Sequence, residues 1–244
     1  MSRKYGNPPI TEAVCEFRFA PSTPWDLTIP GLVYEEVRGT FPKKRQATTL
    51  EARMSAGPEG LEHHIATTPG MQFVREDEKA LLQVGKDLLS AHHLKPYPTW
   101  QEFLPLVRHG FDAYCKVARP QGVGRIGLRY INRVEIKAER VKMEDYFEFH
   151  PTVGPQLPQN LDEFSITIQI PFENGRDRTR LQLGSVKGEP NTVTAILDID
   201  YSLARSDQVS LDTVFEWVEV AHSHVEDVFE GCITDKLRAV FEEE

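Results

Sequence analysis

The stretch G-R-I-G-L-R-Y-I-N-R-V-E-I, residues 124–136, changes side-chain character at almost every second position. Successive side chains of a β-strand point to opposite faces. One face therefore carries Ile126, Leu128, Tyr130, Asn132, Val134 and Ile136, and the other Arg125, Arg129, Ile131, Arg133 and Glu135. A long strand that is apolar on one side and cationic on the other fits an antiparallel sheet covered on one face only. The expected fold class is thus α+β, with the arginine face as a candidate binding surface.

Composition bounds the rest. A chain of 244 residues buries a sizeable core and fits one large domain or two fused halves. Its hydrophobic content of 40% is ordinary for a globular protein. The net charge of -9 and pI of about 5.4 argue against a general affinity for nucleic acid or anionic membrane, though they leave room for a local basic patch. Cys15, Cys115 and Cys232 are odd in number and far apart, so neither a disulfide framework nor a zinc ribbon is indicated. Their apolar neighbours predict buried thiols. The opening M-S-R-K-Y-G-N-P-P-I has no apolar signal core, and no run approaches about 18 uninterrupted apolar residues. A cytoplasmic protein is expected.

Along the chain, A-V-C-E-F-R-F sets Cys15, Phe17 and Phe19 against Val14, Glu16 and Arg18, the same two-faced strand pattern. After Pro21, Pro24 and Pro30, a short helix is expected over Gly31–Thr40. Extended segments follow at Thr48–Met54, Leu61–Thr67, Gln72–Arg75 and Ala80–Val84. Thr99-Trp100-Gln101-Glu102 has capping-box spacing and opens a helix with Trp100, Phe103, Val107, Phe111, Tyr114 and Ala118 on its apolar side. Pro105 should bend the start of that helix and Pro120 end it. Beyond the arginine strand come a short acidic helical piece at Met143–Phe149, a proline-rich loop at Pro151–Pro158, and strands at Phe164–Ile170, Arg180–Leu183 and Thr192–Asp200. A long helix closes the chain from about Leu211, with Ser210 as N-cap. Its expected stripe is Val214, Phe215, Val218, Ala221, Val225, Val228, Phe229, Ile233, Leu237 and Val240, kinked or split at Gly231.

Residues 1–120 and 121–244 each read strand, short helix, several strands, long helix. No residue-by-residue repeat accompanies this, so the duplication concerns element order. One curved antiparallel sheet with both long helices packed on one face is the natural solution, the two halves forming one compact unit. By fold analogy it resembles the duplicated helix-grip arrangement of TATA-box-binding protein, an analogy that carries no function.

Several segments resemble a sporadically distributed prokaryotic family of uncharacterised proteins of about this length. They are N-P-P-I-T-E-A-V-C-E-F-R-F at Asn7–Phe19, V-G-K-D-L-L-S-A-H-H-L-K-P-Y-P-T-W at Val84–Trp100, L-R-Y-I-N-R-V at Leu128–Val134, L-D-I-D at Leu197–Asp200 and A-H-x-x-V-x-x-V-F-E at Ala221–Glu230. The resemblance carries over no activity. The family's patchy distribution implies a mobile accessory role, such as a component of a defence or conflict system.

Few motifs point to chemistry. Asp198 and Asp200 share one strand face about 7 Å apart and, with a third ligand, could hold a divalent cation. The plainer reading pairs them with Arg129, Arg133 or Arg18 on the same uncovered face, which also carries Glu16, Ser165, Thr167, Gln169, Arg180 and Gln182. His63-His64 and His92-His93 are adjacent on extended segments, and His222 and His224 are two apart on a helix, so no pair chelates one ion. H-E-x-x-H, G-x-S-x-G, the P-loop and G-x-G-x-x-G are all absent, and no cofactor is expected. Ser90–Trp100 bunches His92, His93, Lys95, Tyr97 and Trp100 around two prolines. That makes either a recognition edge or a clamp of the helix start onto the sheet.

A non-enzymatic binding or interaction protein is the leading expectation. Its surface is Arg18, Arg125, Arg129, Arg133, Asp198 and Asp200 flanked by Tyr97 and Trp100, and its partner is a protein. Two alternatives stand beside it: a nucleic-acid grip on the concave sheet face, disfavoured by net charge, and a metal-dependent hydrolase built on Asp198 and Asp200. A homo-oligomer paired through an edge strand is a further expectation. No membrane association is expected.

Overall fold

The structure, a computed structural model of the chain, describes residues 3, 5–20, 25–57, 60–159, 161–205 and 208–242; the side chains of 48–57 and 60–69 lie outside the description, those of His63 and His64 among them. The fold is α+β, open antiparallel sheet with a few helices. The order is β1 (Ile10–Phe19), α1 (Ile29–Val37), β2 (Lys43–Gly57), β3 (Gly60–Val74), β4 (Ala80–Gly85), β5 (Leu88–Leu94), α2 (Trp100–Ala118), β6 (Val123–Ile136), β7 (Ser165–Phe172), β8 (Asp177–Val186), β9 (Val193–Leu203), α3 (Val214–Cys232) and α4 (Asp235–Val240). Two compact units share these elements. One is Cys15–His93 with Pro98–Gly124; the other is Met1–Val14, Leu94–Tyr97 and Arg125–Glu244. Among the described residues no helix is long and apolar enough to cross a membrane.

In the first of these units the strand order is β2-β3-β4-β5, then Cys15–Phe19 of β1. β2 and β3 pair from Lys43↔Val74 to Gly57↔Gly60, so Pro69-Gly70 sits inside one long strand and not between two. β4 pairs with β3 only over Met71–Val74, and the missing N–H of Pro69 has no neighbour to serve on that side. α1 starts earlier than its spacing suggests because Pro30 is tolerated in a first helical turn. α2 begins as its capping box predicts, the Thr99 side chain accepting from Glu102 N at 3.3 Å. The helix runs through Pro105 and ends at Arg119, which takes a left-handed φ of 47°. Its buried side, Trp100, Phe103, Val107, Gly110, Phe111 and Tyr114, meets the inner face of the strands. Phe111 lies 4.9 Å from Phe17, and Tyr114 stacks on Phe19 at 4.6 Å. Each such ring or aliphatic side chain contributes roughly 1.5–3 kcal/mol on burial.

The second unit orders Ile10–Val14 of β1, then β6-β9-β8-β7. β6 alternates as its sequence predicts, with Ile126, Leu128, Tyr130, Asn132, Val134 and Ile136 buried. Asn132 is tolerated there because its amide donates to Leu197 O at 3.1 Å. α3 packs against β9, burying Val214, Trp217, Val218, Ala221 and Val225, whereas Val240 of α4 stays exposed. The expected helix start at Ser210 shifts to Val214, with Thr213 in the N-cap position. The expected split occurs two residues past Gly231: Ile233 turns extended and bridges to Phe147, and Thr234 caps α4 by accepting from Leu237 N. In place of the acidic helix is one 3-10 turn at Met143–Asp145.

Candidate functional site

The polar face of the second unit is built by register. Across β6 and β9 Arg129 stands opposite Asp200 and Ile131 opposite Asp198; across β8 and β9 Arg180 stands opposite Asp200 and Gln182 opposite Asp198. Asp200 therefore lies between two arginines, yet both guanidiniums lean diagonally to Asp198. Arg129 donates Nε to Oδ1 and Nη2 to Oδ2, both at 2.7 Å. Arg180 adds Nη2 to Oδ2 at 3.2 Å while its Nη1 donates to Gln182 Oε1 at 3.0 Å. The parallel fork from Arg129 is the strong geometry for a guanidinium and a carboxylate.

Asp200 is served from farther off. Arg125 runs along its own strand and donates Nη2 to both Asp200 oxygens at 3.2 Å. Its path crosses Gly127, where a Cβ would stand 2.9 Å from Nη1. A glycine at 127 is what lets the arginine lie flat. Burial pushes the Asp200 carboxyl above its usual range, against the pull of Arg125, Arg129 and Arg180. The hydrogen bond to Asp198 holds the Arg129 guanidinium more firmly protonated.

Arg125, Arg129 and Arg180 thus face Asp198 and Asp200, and Glu12 of β1 adds a third carboxylate acting on Arg129. The Asp198 side chain is only 7% exposed, but Arg129 and Arg180 keep 40% and 38% of theirs in solvent. Beside them opens a shallow depression of about 350 Å³, lined by Arg129, Ser165, Arg180, Gln182, Ser185 and Asp198. Gln182 Nε2 donates to Ser165 Oγ at 3.3 Å, so the lining is tied together. The result is a row of oriented donors backed by a buried carboxylate, a surface suited to accepting oxyanions.

The remaining residues singled out from sequence go elsewhere. Opposite Arg133 in β9 is Ile196, which offers no carboxylate; Arg133 pairs with Glu135 at 2.7 Å and borders a separate recess of about 60 Å³ with Lys95. Arg18 belongs to the other unit and pairs with Glu16 at 2.9 Å. Tyr97 and Trp100 divide between the units. The Tyr97 hydroxyl lies 2.9 Å from that of Tyr130, its ring edge-on to it, and Trp100 is buried against Phe103. His222 stands edge-on to Tyr130, and burial pushes it down to about 4. Glu226 Oε2, at 3.7 Å from Nδ1, is too distant to hydrogen-bond and offset that desolvation. His224 stacks on Tyr201.

Other reactive groups are held back. The thiols are free, Cys15 and Cys232 buried and Cys115 half-buried; burial raises all three, Cys115 and Cys232 to about 12. Among the described residues no three His, Cys, Asp or Glu side chains gather as metal ligands.

One cluster escaped the sequence reading. Asp177, 1% exposed, accepts from Trp217 Nε1 and Tyr201 OH at 2.9 Å each and from Arg176 Nη2 at 2.6 Å. In sequence, R-D-R at 176–178 looks like a charged turn. The available signal was Trp217, three residues after Val214 and four before Ala221, on the buried helical stripe.

No protein-family model matches the chain, and neither does any curated protein or solved structure.

Proposed function

We propose that the protein is a binding module that docks an acidic segment of a partner protein on the Arg129–Asp198–Arg180 depression. One observation carries the reading: two half-exposed guanidiniums share one buried carboxylate, which leaves oriented N–H donors facing an open hollow. A carboxylate arriving there meets donors already aligned, so little ordering cost opposes it. Each charge-assisted hydrogen bond is worth roughly 1.5–3 kcal/mol.

The scaffold reading goes with it. Each run starts with a strand and follows its last strand with a 19-residue helix, α2 or α3, the second run adding the short α4. The first strand lies beside the last one before that helix, β1 beside β5 and β6 beside β9. These parallels support a duplicated helix-grip ancestry. A cytoplasmic accessory role in a prokaryotic defence or conflict system is the setting proposed, on the family resemblance.

The test is a titration of the ¹⁵N-labelled protein with acetyl-tetraglutamate amide and, as control, acetyl-tetraalanine amide. Shifts confined to Ser165, Arg180, Gln182 and Ser185, weakened about tenfold by Arg180→Ala, are expected for loss of one charged contact. Equal response to both peptides, or an unchanged affinity in Arg180→Ala, would overturn the reading.

A further inference from the structure

β7, S-I-T-I-Q-I-P-F, closes the strand order of its unit and, among the described residues, pairs on one side only, with β8. Ser185 N donates to Phe164 O at 3.0 Å, which makes Phe164 and Ser185 a hydrogen-bonded pair. Such pairs alternate along an antiparallel ladder. Ile166, Ile168, Ile170 and Phe172 therefore bond to β8, and Ser165, Thr167 and Gln169 turn their N–H and C=O groups away from it. Pro171 falls in the outward set, where its missing N–H costs the β8 ladder nothing.

Sheet edges are normally guarded by charge, by covering elements or by shortness. In the other unit the edge strand β2 begins Lys43-Lys44-Arg45. β7 carries no charge over its eight residues, and its inner side is incompletely covered, with Ile168 42% exposed. Val220 of α3, one turn from both Trp217 and His224, is 43% exposed.

We propose that this edge is a homodimer interface, two copies pairing β7 to β7 antiparallel about a two-fold axis at Thr167. That register is self-complementary. Thr167 meets its own mate, Ser165 meets Gln169, and Ile166 meets Ile168, so the outward backbone groups of all three polar residues are used. It also brings Glu163, exposed in the bend two residues ahead of the strand, to the end of β7 where Pro171 of the other copy lies. One strand spacing further, about 4.8 Å, lies that copy's exposed Arg178, paired in register with Pro171. Two symmetric Glu–Arg contacts follow. Neither Glu163 nor Arg178 has an ion pair among the described residues.

Sedimentation equilibrium of the full chain from 2 to 200 μM tests this. The wild type is expected to dimerise within that range. Thr167→Pro, which leaves the β8 ladder intact, should weaken association at least thirtyfold with an unchanged far-UV spectrum. Glu163→Arg and Arg178→Glu should each weaken it at least threefold, and the double reversal should restore it. A wild type monomeric at 200 μM, or a double reversal weaker than both single variants, would overturn the proposal. If Thr167→Pro fails to fold, the charge-reversal series alone decides.

Discussion

Replacing Arg129 by Met and Asp198 by Asn, singly and together, measures how far the polar face neutralises itself. In Arg129→Met, a carboxylate only 7% exposed loses two bonds of 2.7 Å and keeps one of 3.2 Å from Arg180. Stranding one member of a buried pair costs about 3–5 kcal/mol; the surviving Arg180 contact reduces this to about 2–3 kcal/mol. Asp198→Asn is gentler, because the two released guanidiniums are 40% and 38% exposed and rehydrate. Its cost should be about 1–2 kcal/mol. In the double variant nothing ionised is left stranded in the interior, and a total near 2 kcal/mol is expected, a coupling of about 2 kcal/mol. An ordinary surface pair gives about 0–1 kcal/mol. Urea unfolding, followed by circular dichroism and by fluorescence, reads each corner from shifts in midpoint at constant m. A coupling below about 0.5 kcal/mol would show the bridge to be an ordinary surface contact and refute the reasoning.

Three other outcomes follow from the structure. Asp177→Ala should cost about 3–5 kcal/mol in the same assay, since it strands the Trp217 N–H and the Tyr201 hydroxyl in the core; a loss under 1 kcal/mol would argue against the network. His222, held at about 4 by burial, binds its proton less readily folded than unfolded, so stability is full above pH ~6.5 and falls as pH drops toward 4. That loss, on the order of 3 kcal/mol, should be missing from His222→Gln, and parallel stability–pH curves for the two proteins would contradict it. Gly110→Ala would place a Cβ 2.7 Å from Leu82 Cδ2 where α2 crosses β4. The overpacking should cost about 1–3 kcal/mol and be partly relieved by Leu82→Val, whereas no relief would mean the clash is not with Leu82.

Local pattern was readable and pairing was not. The alternation in 124–136 predicts the buried and polar faces of β6 position by position, because period-two polarity is a property of the strand itself. The capping box at Thr99 was legible for the same reason, its donor and acceptor lying three residues apart. That Leu61–Thr67 and Gln72–Arg75 join into one strand through Pro69 was not readable, because whether a strand tolerates proline depends on which neighbour needs its N–H. The ion pairs divided likewise. That Asp198 and Asp200 meet arginines could be read from the face they share. That Arg129 passes over the facing Asp200 for Asp198, that Arg125 reaches across Gly127, and that Arg133 finds Ile196 opposite follow from registers set by tertiary folding. Asp177 was illegible because the donors to its carboxylate, Tyr201 and Trp217, lie 24 and 40 residues away.

The claim that Asp198 organises the guanidiniums, leaving only their outer edges for a ligand, is tested most directly by hydrogen exchange at the arginine Nε–H groups, resolved by ¹⁵N NMR. Arg129 Nε–H, bonded to Asp198 at 2.7 Å, should exchange at least tenfold more slowly than the Nε–H of Arg180, whose hydrogen bonds run through its Nη atoms. Asp198→Asn should abolish the difference. Equal exchange at Arg129 and Arg180 in the wild type would contradict the account.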